Sequence, residues 1–88
     1  MNQSILFPDI QTWDEQNSVV TFPAQHSGAL IECVITLVEL EKLLGQPIDD
    51  EQQALKVFSQ YRFDIEELAE QLIEDEEFNA DGKVEVIS

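Results

Sequence analysis

Acidic side chains crowded into one stretch are the groups best placed to do chemistry in this sequence. Residues 64–81 contain nine acids and no base, among them Glu66-Glu67, Glu70 and Glu74-Asp75-Glu76-Glu77. Two carboxyls act as general acid and base only where a cleft drives their pKa values apart, and acids along a solvated helix lack such a cleft. We therefore interpret the stretch as a solvated helix face, with a docking surface for a basic partner as the alternative.

A second pattern concerns calcium. Glu77-x-Asn79-x-Asp81-Gly82 matches the start of a calcium-binding loop, with oxygen ligands at alternate positions and a glycine for the sharp turn. The match fails at the twelfth position, which is Ser88 instead of a bidentate glutamate. We therefore predict a plain turn between a helix and a strand at this place.

His26 and Cys33 are the conventional ligands for a soft metal, and one of each cannot complete a tetrahedral zinc site within one chain. Cys33 lies in an apolar run and is predicted to be a small core residue, while His26 is predicted to be solvated in a hairpin loop. A thiol nucleophile needs electropositive surroundings, which so acidic a chain hardly offers. The sequence therefore predicts no catalytic residue, no metal site and no cofactor.

Two further residues have a structural and a functional interpretation. Arg62 is the single arginine and stands between Tyr61 and Phe63, so an ion pair with a nearby acid is favoured over a partner contact. Trp13 lies in a polar segment, and packing on the core is favoured over an exposed position.

Apolar and β-branched runs near the start of the chain predict three strands, at Ile5-Leu6-Phe7, residues 19–24 and residues 29–35. The last two runs are joined by Gln25-His26-Ser27-Gly28, which suits a four-residue hairpin loop. Pro23 cannot donate to a ladder, so its strand is predicted to lie at a sheet edge or to carry a bulge, and this edge could support self-association.

Helical signals follow the strands. Thr36 and Glu39 have the spacing of a capping box and predict the start of a first helix, which Gly45 ends. Asp49 or Asp50 caps a second helix. Its apolar stripe is Ala54, Val57, Phe58 and Tyr61.

A second capping-box spacing, between Asp64 and Glu67, predicts a break near Arg62-Phe63 and a third helix, with one continuous helix left open. Its buried residues are Ile65, Leu68, Ala69, Leu72 and Ile73. Val84 and Val86 then alternate with polar residues in a final half-buried strand.

The predicted order is β-β-β-α-α-α-β. It indicates an α+β fold in which a small, mostly antiparallel sheet of about four strands has helices packed on one face, and residues 1–88 are expected to form a single domain.

Composition excludes several functions. Among 88 residues there are 19 acids against 4 bases, for a net charge of -15, so phosphate backbones and anionic membranes repel the chain and basic partners attract it. The sequence contains one cysteine and no run of about 20 apolar residues, and its start lacks the pattern of a secretory signal. We therefore expect a cytoplasmic protein that binds neither nucleic acid nor membrane.

Together these segments resemble a known family. The segments that carry the resemblance are Ile5-Leu6-Phe7-Pro8-Asp9, Trp13, Val20-Thr21-Phe22-Pro23-Ala24, Gly28-x-Leu30-Ile31-Glu32-Cys33 and Tyr61-Arg62-Phe63-Asp64-Ile65-Glu66. They are similar to the bacterial domain-of-unknown-function family numbered 1488. The resemblance implies a compact α+β fold and a bacterial cytoplasmic setting. It assigns no catalytic or binding role to any residue.

The function that these patterns favour is a small, acidic, non-enzymatic module for protein–protein interaction or regulation. It is predicted to bind a basic protein through the acidic face of residues 64–81, with homodimerisation as a further expectation. The predicted contact residues are Arg62, Glu66, Glu70, Glu74 and Glu77. The alternatives are a sensor of a small ligand or metal ion, which would melt at a ligand-dependent temperature, and an accessory subunit of an enzyme.

Overall fold

A five-stranded sheet with three helices on one face makes up the computed structural model, which describes residues 5–87. The strands are β1 (Ile5–Leu6), β2 (Thr12–Asp14), β3 (Val19–His26), β4 (Ala29–Thr36) and β5 (Val84–Glu85). The helices are α1 (Leu37–Leu44), α2 (Glu51–Gln60) and α3 (Arg62–Glu74). The predicted α+β fold is confirmed, with one more short strand than expected, so that the order is β-β-β-β-α-α-α-β.

The hairpin of β3 and β4 is tighter than predicted. Its strands run to His26 and from Ala29, so the loop has two residues, Ser27 and Gly28, instead of four. Both loop residues have positive φ, at 54° and 81°, as the type I′ turn requires because its twist matches that of the flanking strands. His26 is consequently a half-buried strand residue opposite Ile5, and its predicted place in a solvated loop is wrong.

The expectation that β3 is an edge strand is also wrong, because β3 pairs with β4 on one side and with β1 and β2 on the other. Pro23 still lies where the strand pairing on one side of β3 is interrupted. Among the described residues, β2 pairs with positions 19–21 and β1 with positions 25–26, so neither strand reaches Pro23. Hydrogen-bonded and non-bonded pairs alternate back from the hairpin turn, and Pro23 therefore directs its backbone towards this break, where a missing N–H leaves no partner unsatisfied.

The strand that the sequence did not indicate is β2, which contains Trp13. Trp13 pairs with Val20 and so lies on the helix side of the sheet, where it is half-buried and packs against the core, as favoured above. The turn after β2 is closed by Asn17, whose backbone and side-chain amides donate to Asp14 at 3.3 and 2.9 Å. The side-chain hydrogen bond holds the pKa of Asp14 below its ordinary value.

Two helices begin at the predicted caps. The Thr36 hydroxyl accepts a hydrogen bond from the Glu39 amide at 3.2 Å, and an Asp50 carboxylate oxygen accepts one from the Gln53 amide at 2.8 Å. Gly45 ends α1 at a φ of 85°, a left-handed position that glycine occupies without strain.

The start of α3 differs from the prediction. The helix begins at Arg62 after a one-residue break at Tyr61, and no side chain caps it. The Tyr61 carbonyl accepts from the Ile65 amide at 3.0 Å, so the backbone turns into α3 without the predicted capping box, and Asp64 lies in the first turn. The two helices are thus separate but nearly contiguous.

The core lies between the sheet and the helices. The Phe22 ring of β3 packs on Phe7 and on Phe58 of α2, with ring centroids 6.3 and 5.1 Å apart. Val84 and Val86 close one side, because β5 pairs in parallel with β4 and both valines are buried. The remaining buried residues of the three helices are Leu40, Ala54, Val57, Ile65, Ala69 and Ile73.

Candidate functional site

The candidate site is the outer face of α3. The helix is held in place by Ile65, Ala69 and Ile73, which are 0%, 0% and 2% exposed and repeat at a spacing of four residues on the core side. Leu68 and Leu72, which were predicted to be buried, are half-buried at the flank. The periodicity directs the acids of this helix away from the core, as the sequence predicts.

An exposed aromatic ring stands among these acids. Phe63 is 86% exposed, the largest exposed fraction among the apolar side chains that the structure describes. Phe63, Glu67, Glu70 and Glu74 follow one another at steps of four, three and four residues, so they share one line along the helix. We call these four residues the acidic stripe.

A cleft of about 410 Å³ runs beside the acidic stripe. Its apolar walls are Ile5, Phe7 and Phe63, and its acidic wall is Glu66, Glu67 and Glu70. The cleft is therefore open and mainly polar, with carboxylates along one side and apolar side chains at its edge, which suits a basic side chain with an apolar stem.

Arg62 lies next to this cleft and contacts one of its lining residues, Glu66. Its Nε donates to Glu66 Oε2 at 2.7 Å, its Nη1 to Gln11 Oε1 at 2.7 Å and its Nη2 to the Pro8 carbonyl at 2.8 Å. The guanidinium also lies 5.4 Å from the centre of the Phe58 ring, and the side chain is 18% exposed. Arg62 thus makes the structural ion pair that the sequence favours, and it ties α3 to the segment before β2.

The acids of the site differ in whether they form an ion pair. Glu66 is paired with Arg62 and is 19% exposed, so its charge is largely neutralised. Within residues 5–87, Glu67, Glu70 and Glu74 have no ion pair or side-chain hydrogen bond. These three carboxylates are therefore available to accept hydrogen bonds from lysine or arginine.

Glu77 lies outside the helix. The last turn of α3 is followed by Glu76 in a left-handed conformation with φ of 58°, and the Glu76 and Glu77 amides donate to the Ile73 and Leu72 carbonyls at 3.0 and 2.9 Å. This is the Schellman pattern of a helix end. Residues 64–81 are consequently a helix face and a following turn, not one continuous helical face, and Glu77 extends the negative surface past the C-terminus of α3.

The segment that resembles a calcium loop is a turn. Asn79 Oδ1 accepts from the Asp81 and Lys83 amides at 2.9 and 3.0 Å, and the Asn79 amide donates to the Lys83 carbonyl at 2.8 Å. The oxygen at the third position of the pattern is thus engaged by the backbone. No group of three or more potential metal ligands is found in the described part of the chain.

Cys33 is a core residue, as predicted. Its side chain is 0% exposed on the helix side of β4, and burial raises the pKa of the thiol to about 12, with a smaller contribution from the charge of Glu32. A thiol held in the protonated form is a poor nucleophile. His26, at the other end of the same hairpin, lies far along the strand from Cys33 in the register.

A second cavity, of about 420 Å³, surrounds Trp13. Its floor is Trp13, Leu37 and Ile48, and its rim is formed by Glu15, Ser18, Asp49, Asp50 and Glu51. Asp50 caps α2 and Glu51 lies in its first turn, where negative charge complements the positive end of the helix dipole. Asp50 and Glu51 of this rim thus have a local structural explanation, which the glutamates of the acidic stripe lack.

Phe63 is the site residue that the sequence analysis missed. Its importance follows from the start of α3 at Arg62, because only a helix that includes position 63 places Phe63 in line with Glu67 and Glu70. The spacing of four and seven residues between Phe63 and these glutamates was the available signal.

No helix within residues 5–87 has the length and apolar character needed to cross a membrane.

Known proteins similar to this chain are bacterial. The chain is 40% identical over 85 residues to the uncharacterized protein YrdB of Escherichia coli strain K12, and 39% identical to YrdB of Shigella flexneri, with 96% of each chain covered. A crystal structure of a DUF1488 protein of unknown function from Shewanella loihica PV-4 matches with a TM-score of 0.93 and 49% identity, over 98% of this chain and 94% of that one. The family model for proteins of unknown function called DUF1488 matches residues 5–86. The chain therefore belongs to the DUF1488 family.

Proposed function

We propose that this protein is a non-enzymatic, cytoplasmic interaction module that binds a basic protein through the acidic stripe of α3. The observation that carries the proposal is Phe63, which is 86% exposed on a helix line otherwise made of Glu67, Glu70 and Glu74. Exposure of a large aromatic ring is unfavourable in water, and exposed aromatic rings are enriched in protein interfaces.

The carboxylates determine which kind of partner the surface binds. Residues 64–81 carry nine acids and no base, so their field attracts a basic surface and repels an acidic one. Glu67, Glu70 and Glu74, which have no ion pair within residues 5–87, supply acceptors, and Glu77 continues the negative surface beyond the helix. Association through such a surface is fast at low ionic strength and weakens as salt screens the charges.

The cleft beside the stripe adds an anchoring position. Ile5 and Phe7 lie next to Phe63 in this open cleft, so the apolar stem of a lysine or arginine of the partner can pack against them while its charged end meets Glu67 and Glu70. Arg62 and Glu66 hold this wall in place through their 2.7 Å ion pair, and we assign them a positioning role in partner binding.

Affinity capture from a lysate of the source bacterium tests the role of the charges. The bait variants are the triple substitution Glu67→Gln, Glu70→Gln, Glu74→Gln and a matched control, Glu15→Gln, Asp49→Asn, Glu51→Gln, which removes three charges around Trp13 instead. We expect a basic protein that the wild type and the control retain at low salt and release as salt rises, and that the stripe variant fails to retain.

Equal retention by all three baits would show that the stripe is not the docking surface. Retention that does not change from about 0.05 to about 0.3 M salt would contradict an electrostatic contact, since the Debye length shortens over this range. Circular dichroism of each bait verifies that the substitutions leave the fold intact, as expected for exposed side chains.

A further inference from the structure

The regular spacing of the acidic stripe restricts the shape of what can bind it. Its four side chains follow one another at steps of four, three and four residues, so at about 1.5 Å per residue they lie about 6, 4.5 and 6 Å apart along the axis of α3. The same alternation of steps forms the seam along which two helices pack. The stripe is therefore a nearly straight line about 16.5 Å long.

A second helix matches this spacing and an extended segment does not. The side chains on one face of a helix repeat at the same steps of three and four residues, so each group of the stripe meets one side chain of the partner. Alternate side chains of an extended segment lie about 6.7 Å apart, so three such steps span about 20 Å and overshoot the stripe by about 3.5 Å. A helix therefore engages all four groups in register.

The chemistry of the stripe determines the side chains of that helix. Glu67, Glu70 and Glu74 have no ion pair within residues 5–87, so each can accept hydrogen bonds from a lysine or an arginine. Phe63 is 86% exposed at the N-terminal end of the stripe, and the side chain that covers it is apolar. The cleft of about 410 Å³ beside the stripe has room for the apolar stems of the basic side chains.

A second copy of this chain cannot supply such a helix. The chain contains four bases, and its helices carry one each, namely Lys42 in α1, Lys56 in α2 and Arg62 in α3. Nucleic acids and anionic membranes have the same sign of charge as the stripe and are repelled by it. The occupant is therefore a helix of a different, basic protein.

The direction of this helix follows from the charges at the two ends of α3. The last turn of α3 contains no basic residue and carries the negative end of the helix dipole, and Asp75, Glu76 and Glu77 follow it directly. The positive N-terminal end of a partner helix is therefore favoured beside Glu74, which places its C-terminal end beside Phe63.

We propose that the acidic stripe binds a basic amphipathic α-helix of another protein, packed antiparallel to α3. This inference rests on the proposed function and names the kind of segment that its site takes. From its N-terminus, the segment has three basic residues separated by steps of four and three residues, and an apolar residue four positions further on. The basic residues meet Glu74, Glu70 and Glu67 in turn, and the apolar residue covers Phe63.

Fluorescence anisotropy with dye-labelled peptides tests the proposal on the full chain. Three alanine-rich peptides of about 18 residues, long enough to form a helix, each contain three lysines and one leucine. The aligned peptide has the proposed spacing, the reversed peptide has the same sequence in the opposite direction, and the scattered peptide distributes its lysines around the helix. At about 0.05 M salt, the aligned peptide should bind at least about tenfold more tightly than the scattered one and about threefold more tightly than the reversed one, and its helical circular dichroism should increase on binding.

Variants of the protein locate the bound peptide. Replacing the leucine of the aligned peptide by alanine should weaken its binding to the wild type at least about threefold and leave its binding to Phe63→Ala unchanged, because the two side chains contact each other. The stripe variant of the affinity capture should bind all three peptides weakly. The matched control, with three charges removed around Trp13, should keep the preference for the aligned peptide.

The outcomes separate this proposal from the function on which it rests. Equal binding of the aligned and scattered peptides by the wild type, or no binding of the aligned peptide up to about 1 mM, would overturn the helical partner. If both peptides nevertheless bind the stripe variant more weakly than the wild type, the acidic stripe remains the docking surface. Equal binding of the aligned and reversed peptides would overturn the antiparallel direction. A stripe variant that binds every peptide as tightly as the wild type would contradict the proposed function as well.

Discussion

Arg62 is the residue that joins α3 to the start of the sheet. It donates hydrogen bonds to Glu66, Gln11 and Pro8 from a side chain that is only 18% exposed. Replacing Arg62 by alanine leaves these acceptors without their donor and removes packing on Phe58, so we expect the free energy of unfolding to fall by about 2–3 kcal/mol. Urea denaturation measures this loss.

The control for this prediction is Lys56→Ala, which also removes one positive charge. Lys56 is exposed on α2 and has no ion pair within residues 5–87, so its removal should change stability by less than about 0.5 kcal/mol. Similar losses for the two variants would mean that net charge, and not the hydrogen bonds of Arg62, accounts for the effect.

Cys33 makes the stability of the fold depend on alkaline pH. Burial raises the pKa of its thiol from 9.0 to about 12, so the folded state retains the proton after the unfolded state has lost it. The free energy of unfolding is therefore unaffected by ionisation of this thiol below about pH 9. Above it, this free energy falls by up to about 1.4 kcal/mol for each pH unit until the pKa of the thiol in the folded state is reached.

The variant Cys33→Ala isolates this contribution from other alkaline titrations. We expect the difference in unfolding free energy between wild type and variant to be constant from about pH 7 to 8.5 and to shrink between about pH 9 and 10.5. A difference that stays constant to pH 10.5, within about 0.3 kcal/mol, would contradict a raised thiol pKa.

Among the secondary-structure elements, α3 ends under strain. Glu76 takes a left-handed conformation with φ of 58°, which side chains other than glycine and asparagine rarely adopt, and its negative charge lies near the negative end of the helix dipole. Glu76→Gly should therefore stabilise the protein by about 0.5–1 kcal/mol, despite the entropy that glycine adds to the unfolded chain.

Glu76→Gln separates the two causes, because it removes the charge and keeps the side chain. We expect the larger part of the gain from glycine, as measured by urea denaturation. If Glu76→Gly is destabilising, the Schellman end of α3 does not hold the conformation described here.

The elements that could be predicted from sequence are those with local signals. Thr36 and Asp50 cap helices through amides three residues away, so spacing alone indicates both starts. Strand β2 depends on the pairing of Trp13 with Val20 across a turn, and no local pattern near Trp13 predicts this strand. The predicted capping box at Asp64 is wrong because the Tyr61 carbonyl accepts a hydrogen bond from the Ile65 amide, so α3 has already begun before Asp64.

The candidate site could likewise be predicted from the sequence only in part. Its acids are visible in the sequence, because crowding of carboxylates needs no fold to be recognised. The role of Phe63 depends on one structural fact, the start of α3 at Arg62, which turns a residue at a predicted break into a member of the acidic stripe. The partners of Arg62 at Pro8 and Gln11 lie more than 50 residues away in the sequence, as separations of 54 and 51 show.

For the whole molecule, a net charge of -15 on a body of 36 × 23 × 21 Å produces self-repulsion that salt can screen. We expect the melting temperature to rise between about 0.01 and about 0.3 M sodium chloride, by about 4–8 °C for each kcal/mol of repulsion removed. The scans are run at a low protein concentration, so that any self-association does not contribute. A flat melting temperature would mean that the charges are already dispersed or paired.

The proposed function rests on Phe63 and its acidic neighbours, and one comparison tests it most directly. Affinity capture from the bacterial lysate is repeated with wild type, Phe63→Ala and Phe78→Ala, the last being an exposed phenylalanine outside the acidic stripe, 44% exposed. We predict that wild type and Phe78→Ala retain the same basic protein in a salt-sensitive manner, and that Phe63→Ala loses it while its melting temperature is unchanged. Equal retention by Phe63→Ala would contradict the central claim that this ring and the surrounding carboxylates form the docking site.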